Sequence, residues 1–174
     1  MSPAPPPDSV SEHRASSPRR IQCAVITVSD TRTPETDTGG ATAIDLLNEF
    51  GHHVVVREVI RDEPTAIRAI MESLRTRDDI DAILLTGGTG LGSRDQTFET
   101  ISSLLTKTLP GYGELFRMLS YAEIGAAAML SRAVGGLIDK QVVLTMPGSP
   151  AGVRLAVQQL IGPELAHLVR EAKR

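Results

Sequence analysis

Ala82-Ile83-Leu84-Leu85-Thr86-Gly87-Gly88-Thr89-Gly90-Leu91-Gly92-Ser93-Arg94-Asp95 is the stretch that decides how this chain folds. Its first five residues are apolar or β-branched without polar alternation, the pattern of a strand covered on both faces. The glycines that follow permit positive φ and let backbone N–H groups approach an anion. A helix is expected to begin near Thr97. Working outward, Ile21-Gln22-Cys23-Ala24-Val25-Ile26-Thr27-Val28-Ser29 has the same buried-strand character, and His53-Val54-Val55-Val56-Arg57-Glu58-Val59-Ile60 reads as extended. Between these two, Ala43, Ile44, Leu47 and Phe50 form a helical stripe that stops at Gly51, a good left-handed terminator. The next helix has Asp62 or Glu63 as cap, Pro64 in its first turn, and Ile67, Ile70, Met71 and Leu74 at i, i+3, i+4, i+7. Strands alternating with helices predict an α/β fold: a three-layer, doubly wound, mostly parallel sheet with helices on both faces.

Beyond the glycines, residues 98–106 and 113–121 read as helices, and 132–138 with 142–146 as a small β-hairpin turning at Asp139-Lys140. Pro147-Gly148-Ser149-Pro150 then leads into a final amphipathic helix that restarts after Gly162-Pro163. Residues 1–19 contain Pro3, Pro5, Pro6, Pro7 and Pro18 and little to bury, so they are expected to be a disordered tail. Residues 20–174 form one domain, a common size for a single core.

Composition narrows the function. A hydrophobic fraction of 41% and a charged fraction of 22% are globular, and no apolar run reaches the roughly 20 residues of a membrane span. A net charge of −3 with 3% aromatic residues offers neither a basic footprint nor stacking platforms, so nucleic acid is not an expected partner. A single cysteine, Cys23, and no secretory apolar segment suit a reducing cytoplasm.

Ligands of open parallel sheets sit outside the carboxyl ends of the strands. The polar clusters fall there: Ser29-Asp30, Asp62, the segment from Gly87 to Asp95, and Pro147-Gly148-Ser149. Gly87, Gly88, Thr89 and Gly90 could bind phosphate, with Arg94 adding charge, although the segment matches neither the Lys-containing phosphate loop nor the dinucleotide fingerprint. A tight strand-to-helix turn would explain the same glycines. Asp62 and Asp95 could hold Mg²⁺ against phosphate oxygens, a cation that needs only one or two protein carboxylates. Helix capping is the commoner explanation of such residues.

Five segments together, in order and spacing, resemble the MoaB/MogA molybdopterin-binding domain: Val28-Ser29-Asp30-Thr31, Asp62-Glu63, Thr86-Gly87-Gly88-Thr89-Gly90 with Arg94-Asp95-x-Thr97, Met129-Leu130-Ser131-Arg132, and Pro147-Gly148-Ser149-Pro150. Residues 113–125 are closer to the MoaB branch. The resemblance implies Mg²⁺-dependent adenylylation of molybdopterin by ATP, with a separate molybdate insertase acting next and with a trimer or hexamer as the assembly. It implies Asp62 and Asp95 as catalytic and metal-holding residues. Ser29, Asp30, the turn from Gly87 to Gly90, Arg94, Ser131, Pro147, Gly148 and Ser149 would contact ligand. A catalytically silent pterin-binding or scaffold protein of the same pathway is the alternative, and an unrelated nucleotide-binding module is a third reading.

Overall fold

The computed structural model describes residues 20–174; the expected N-terminal tail lies outside the described residues. Strands β1 (Gln22–Val28), β2 (His53–Ile60), β3 (Ala82–Thr86), β4 (Lys107–Thr108), β5 (Gly135–Ile138) and β6 (Gln141–Met146) form one sheet in the order β2-β1-β3-β6-β5-β4. β2, β1, β3 and β6 are mutually parallel, and β5 and β4 continue the sheet antiparallel. The chain steps from β1 to β2 on one side and from β2 across to β3 on the other. Between β1 and β3, therefore, successive connections diverge, and the strand ends open a crevice there.

Alternation along the central strands explains how both faces are covered. Cys23, Val25, Leu84 and Leu144 face one core, closed by Ala43, Leu46 and Leu47 of α1 (Thr38–Glu49), Phe116 of α4 (Pro110–Ile124), and Val153 and Leu165 from the C-terminal helices. Ala24, Ile26, Ile83, Leu85 and Val143 face the other, closed by Ile67, Met71 and Leu74 of α2 (Pro64–Arg75) and Ile101 of α3 (Thr97–Leu104). The predicted three-layer α/β architecture is the one observed. Each fully buried Leu or Ile contributes roughly 1.5–3 kcal/mol relative to exposure, so these two layers carry the fold. The Cys23 thiol is buried in the first, which pushes its pKa up to about 12, with the Asp81 charge adding to the effect.

Several boundaries differ from the sequence reading. α1 starts a turn earlier than its apolar stripe, because Asp37 caps it by accepting from the N–H of Gly40 at 2.8 Å. The helix read as 98–106 ends at Leu104; Leu105 turns extended and Lys107–Thr108 pair with Leu137 and Gly136. α4 is longer than 113–121 because Pro110 begins its first turn. The hairpin forms, with Asp139 at φ 54 in its turn, but its first strand starts at Gly135 rather than 132. The last helix does not restart. α5 (Pro150–Ala156) runs through a π-helical turn, Val157–Ile161, into α6 (Gly162–Ala172). Pro163 lacks the N–H that an α-helix would offer to the carbonyl of residue 159, and the wider turn absorbs that loss. Among the described residues, no helix is long and apolar enough to cross a membrane.

Candidate functional site

A cavity of about 700 Å³ opens at the carboxyl ends of β1, β2, β3 and β6. Its size is that of an organic ligand site. Asp62 and Asp95 both line it, one following β2 and the other following β3. Gly87, Gly88, Thr89, Gly90 and Arg94 form its floor with Ser29 and Asp30, while Pro147, Gly148 and Ser149 enter from β6 and Ser131 from the loop before β5. Asp62, Asp95 and the residues expected to contact ligand therefore all line one cavity.

Capping does not account for the two aspartates. The residue capping α2 is Glu63, without a side-chain bond, and α3 begins at Gln96 in the same way. The Asp62 carboxylate instead accepts the N–H of Gln96 at 3.0 Å, which ties the end of β2 to the start of α3. Asp95 accepts the N–H of Gly92 at 2.8 Å and closes the glycine turn on itself. Asp62 is only 6% exposed. Burial holds its carboxyl above the usual carboxylate range, the Gln96 N–H opposes this, and the nearby charges of Asp95 and Asp30 raise it further. Beside it, the Thr97 hydroxyl is buried and, among the described residues, has no hydrogen-bond partner. Asp62 and Asp95 are oxygen donors of the kind a hard cation takes, and Mg²⁺ needs only one or two protein carboxylates. Among the described residues, no group of three or more His, Cys, Asp or Glu side chains could hold a metal ion.

Arg94 and Asp30 engage each other, with Arg94 Nε and Nη2 donating to Asp30 at 3.1 and 2.9 Å and a further contact from Arg94 to Glu63 at 3.7 Å. The other Asp30 oxygen accepts from the N–H of Asp62 at 3.2 Å. The pair thus braces Asp62, and the Arg94 guanidinium holds the Asp30 carboxyl below its usual range. Ser29 Oγ accepts from the N–H groups of Thr31 and Arg32, shaping the loop after β1. Ser149 caps α5 by accepting the N–H of Gly152 at 3.2 Å.

Four features of this site escaped the sequence reading. Asp37 is buried beneath the cavity, bonded by Thr27 Oγ1 at 2.9 Å and paired with Arg57 at 3.3 Å. Phe116 and Glu123 add an apolar and an acidic group from α4. Arg132 grips the glycine turn from behind. Thr27 and Arg57 lie 10 and 20 positions from Asp37, and Thr89 lies 43 from Arg132, so local spacing does not reveal these contacts. His52 is buried, with its Nε2 3.3 Å from the carbonyl oxygen of Gly162.

Fold and cavity define a class: doubly wound α/β domains that place paired carboxylates and a glycine turn at the topological switch point. Residues 24–167 match the family described as "Probable molybdopterin binding domain". The chain belongs to this molybdopterin-binding family, on its MoaB branch, which sets aside the unrelated nucleotide-binding module. It is 48% identical over 167 residues to molybdenum cofactor biosynthesis protein B of Bacillus anthracis, covering 95% of this chain and 99% of the relative. A crystal structure of molybdenum cofactor biosynthesis protein B superposes with a TM-score of 0.87 at 47% identity, covering 91% of this chain and 99% of that one. The tungsten cofactor synthesizing protein MoaB from Pyrococcus furiosus does so at 0.79 and 32% identity, covering 91% and 100%.

Proposed function

We propose that the chain acts in molybdenum cofactor biosynthesis by transferring AMP from ATP to the terminal phosphate of molybdopterin. A phosphate oxygen of molybdopterin forms the new bond to the α-phosphorus of ATP, and the bond from that phosphorus to the bridging oxygen breaks, releasing pyrophosphate. The observation that carries this reading is the meeting of Asp62 and Asp95, from two different strand ends, beside the glycine turn in one cavity. Such chemistry asks for positioning and charge neutralisation more than for covalent help.

The N–H of Gly87 donates to the Met146 carbonyl at 3.0 Å, so within the turn from Gly87 to Gly90 the N–H groups after Gly87 would bind phosphate, and Asp62 and Asp95 would hold Mg²⁺. Bound there, the ion would neutralise charge on the triphosphate and on the leaving pyrophosphate. The Arg94–Asp30 pair braces Asp62 and, lining the cavity, would also meet ligand. Ser131 and Phe116, which both line the cavity, would suit the flat pterin. The adenylated product would then be the substrate of the molybdate insertase.

Assembly belongs to the same proposal. Met118 and Tyr121 of α4 and Met129 of the 3-10 turn Gly125–Leu130 are 60%, 65% and 80% exposed, with Leu115, Ile124 and Leu130 beside them. An apolar band of this kind suits contacts between copies in a trimer or hexamer.

Incubating the protein with molybdopterin, MgATP and an enzymatic pyrophosphate detector tests the activity. Stoichiometric or catalytic pyrophosphate release supports the enzyme. Retention of pterin with no pyrophosphate makes it a binding protein of the pathway.

A further inference from the structure

Arg132 follows Ser131 but faces the opposite way: Ser131, Thr89 and Gly90 line the cavity, whereas Arg132 lies behind the glycine turn. Its Nε donates to the carbonyl of Thr89 at 3.0 Å, and its Nη2 donates to the carbonyl of Gly90. Its Nη1 and Nη2 also reach the Glu99 carboxylate, the latter at 3.3 Å, and the guanidinium lies 5.0 Å from the centre of the Phe98 ring. The side chain is only 19% exposed. Its hydrogen bond holds the Glu99 carboxyl below the usual range.

A trans peptide is planar, and its C=O and the following N–H point in opposite directions. Drawing the carbonyls of Thr89 and Gly90 toward Arg132 therefore turns the N–H groups of Gly90 and Leu91 away from it, toward the cavity side. Among the described residues, neither N–H has a protein partner. We propose that Arg132 is a positioning residue, a strut that orients the N–H groups of the glycine turn toward phosphate and fixes that turn relative to the Ser131 loop. Resting on the adenylyltransfer reading, this makes one side chain set the spacing between the phosphate and pterin ends of the site. Lysine cannot replace the strut, since a point ammonium does not reproduce a planar fork bonded to two carbonyls and a carboxylate.

The test compares Arg132→Met, Arg132→Lys and Glu99→Gln in the full chain. The readouts are pyrophosphate release, MgATP binding by calorimetry, and the amide resonances of Gly88, Gly90 and Gly92 in ¹⁵N-glycine-labelled protein. Arg132→Met is expected to raise the KM for ATP about tenfold with a smaller fall in kcat, consistent with loss of a charged hydrogen bond. Arg132→Lys should recover only part of this, and Glu99→Gln, which keeps the carbonyl bonds, should stay within about threefold of wild type. Lower thermal stability with unchanged KM, kcat and glycine resonances in Arg132→Met would overturn the proposal. A wild type that neither binds MgATP nor releases pyrophosphate would overturn the adenylyltransfer reading alone. The resonances still judge the strut in that case: shifts confined to the turn support it, and an unchanged spectrum refutes it.

Discussion

Replacing Gly88 by alanine adds one methyl group at the point where the phosphate turn meets Asp62. Gly88 has φ +63, and a Cβ built there would lie 2.2 Å from Thr97 Oγ1 and 2.5 Å from Asp62 Oδ2. The left-handed backbone alone costs an alanine roughly 1–2 kcal/mol. The overlaps add to it, because Thr97 is fully buried at the head of α3 and cannot retreat. Asp62 must then rotate, putting at risk its 3.0 Å bond from the Gln96 N–H, and a bond to a charged group contributes about 1.5–3 kcal/mol. We therefore expect a loss of about 3–5 kcal/mol, a large fraction of the roughly 5–15 kcal/mol typical of a domain, so the variant folds but weakly. Urea unfolding followed by circular dichroism measures this, with Gly111→Ala as control. Gly111 has nothing within 4 Å of its Cβ position and should be neutral or gain up to about 1 kcal/mol, as expected for Gly to Ala inside a helix. MgATP binding should fall in the Gly88 variant beyond the loss of folded protein, since Asp62 is displaced. A Gly88→Ala protein within about 0.5 kcal/mol of wild type, the scatter of an ordinary surface change, and binding MgATP normally would refute this reasoning.

Asp62→Asn should raise stability at pH 7 while abolishing pyrophosphate release. The Asp62 pKa is raised in the folded state, so the carboxyl favours folding when protonated and loses that contribution as pH rises above its ordinary value of 3.8. The stability gap between variant and wild type should accordingly be wide at pH 7 and narrow toward pH 4; a gap that widens toward pH 4 would contradict the sign. Cys23, with a pKa of about 12 and a buried thiol, should resist iodoacetamide at pH 8 in native protein and react promptly in 8 M urea; prompt native labelling would show that its layer opens. Met118→Asp together with Tyr121→Asp should lower the mass measured by light scattering to that of one chain, 18.6 kDa, without loss of helicity; an unchanged mass would move the interface elsewhere.

How much of this was legible in the sequence varied with the range of the forces involved. β1, β3 and β6 were plain because buried parallel strands are continuous apolar runs, and Ile67, Met71 and Leu74 marked α2 by their period. The cavity followed from topology, since carboxyl ends of adjacent parallel strands must lie side by side. The first turn of α1 was hidden, because Gly39 and Gly40 argue against helix by propensity. The structure supplies the reason for one of them: a Cβ on Gly39 would stand 2.8 Å from the Gly148 carbonyl. β4 is two exposed residues and has no pattern to read. Arg94 was read as adding charge beside the glycines, but its pairing with Asp30, 64 residues away, did not show, because pairing at that distance is decided by the fold rather than by neighbours. For the same reason Arg132 showed only as the last residue of a recognised segment, with no sign of its grip on the glycine turn.

Crystals grown with Mn²⁺ and ATP, examined by anomalous diffraction, address the central claim directly. The account predicts a Mn²⁺ peak ligated by Asp62, Asp95 or both at about 2.1–2.3 Å, with triphosphate oxygens on the same ion and the phosphates seated on the turn from Gly87 to Gly90. A metal and nucleotide bound elsewhere, with both aspartates left untouched, would contradict it.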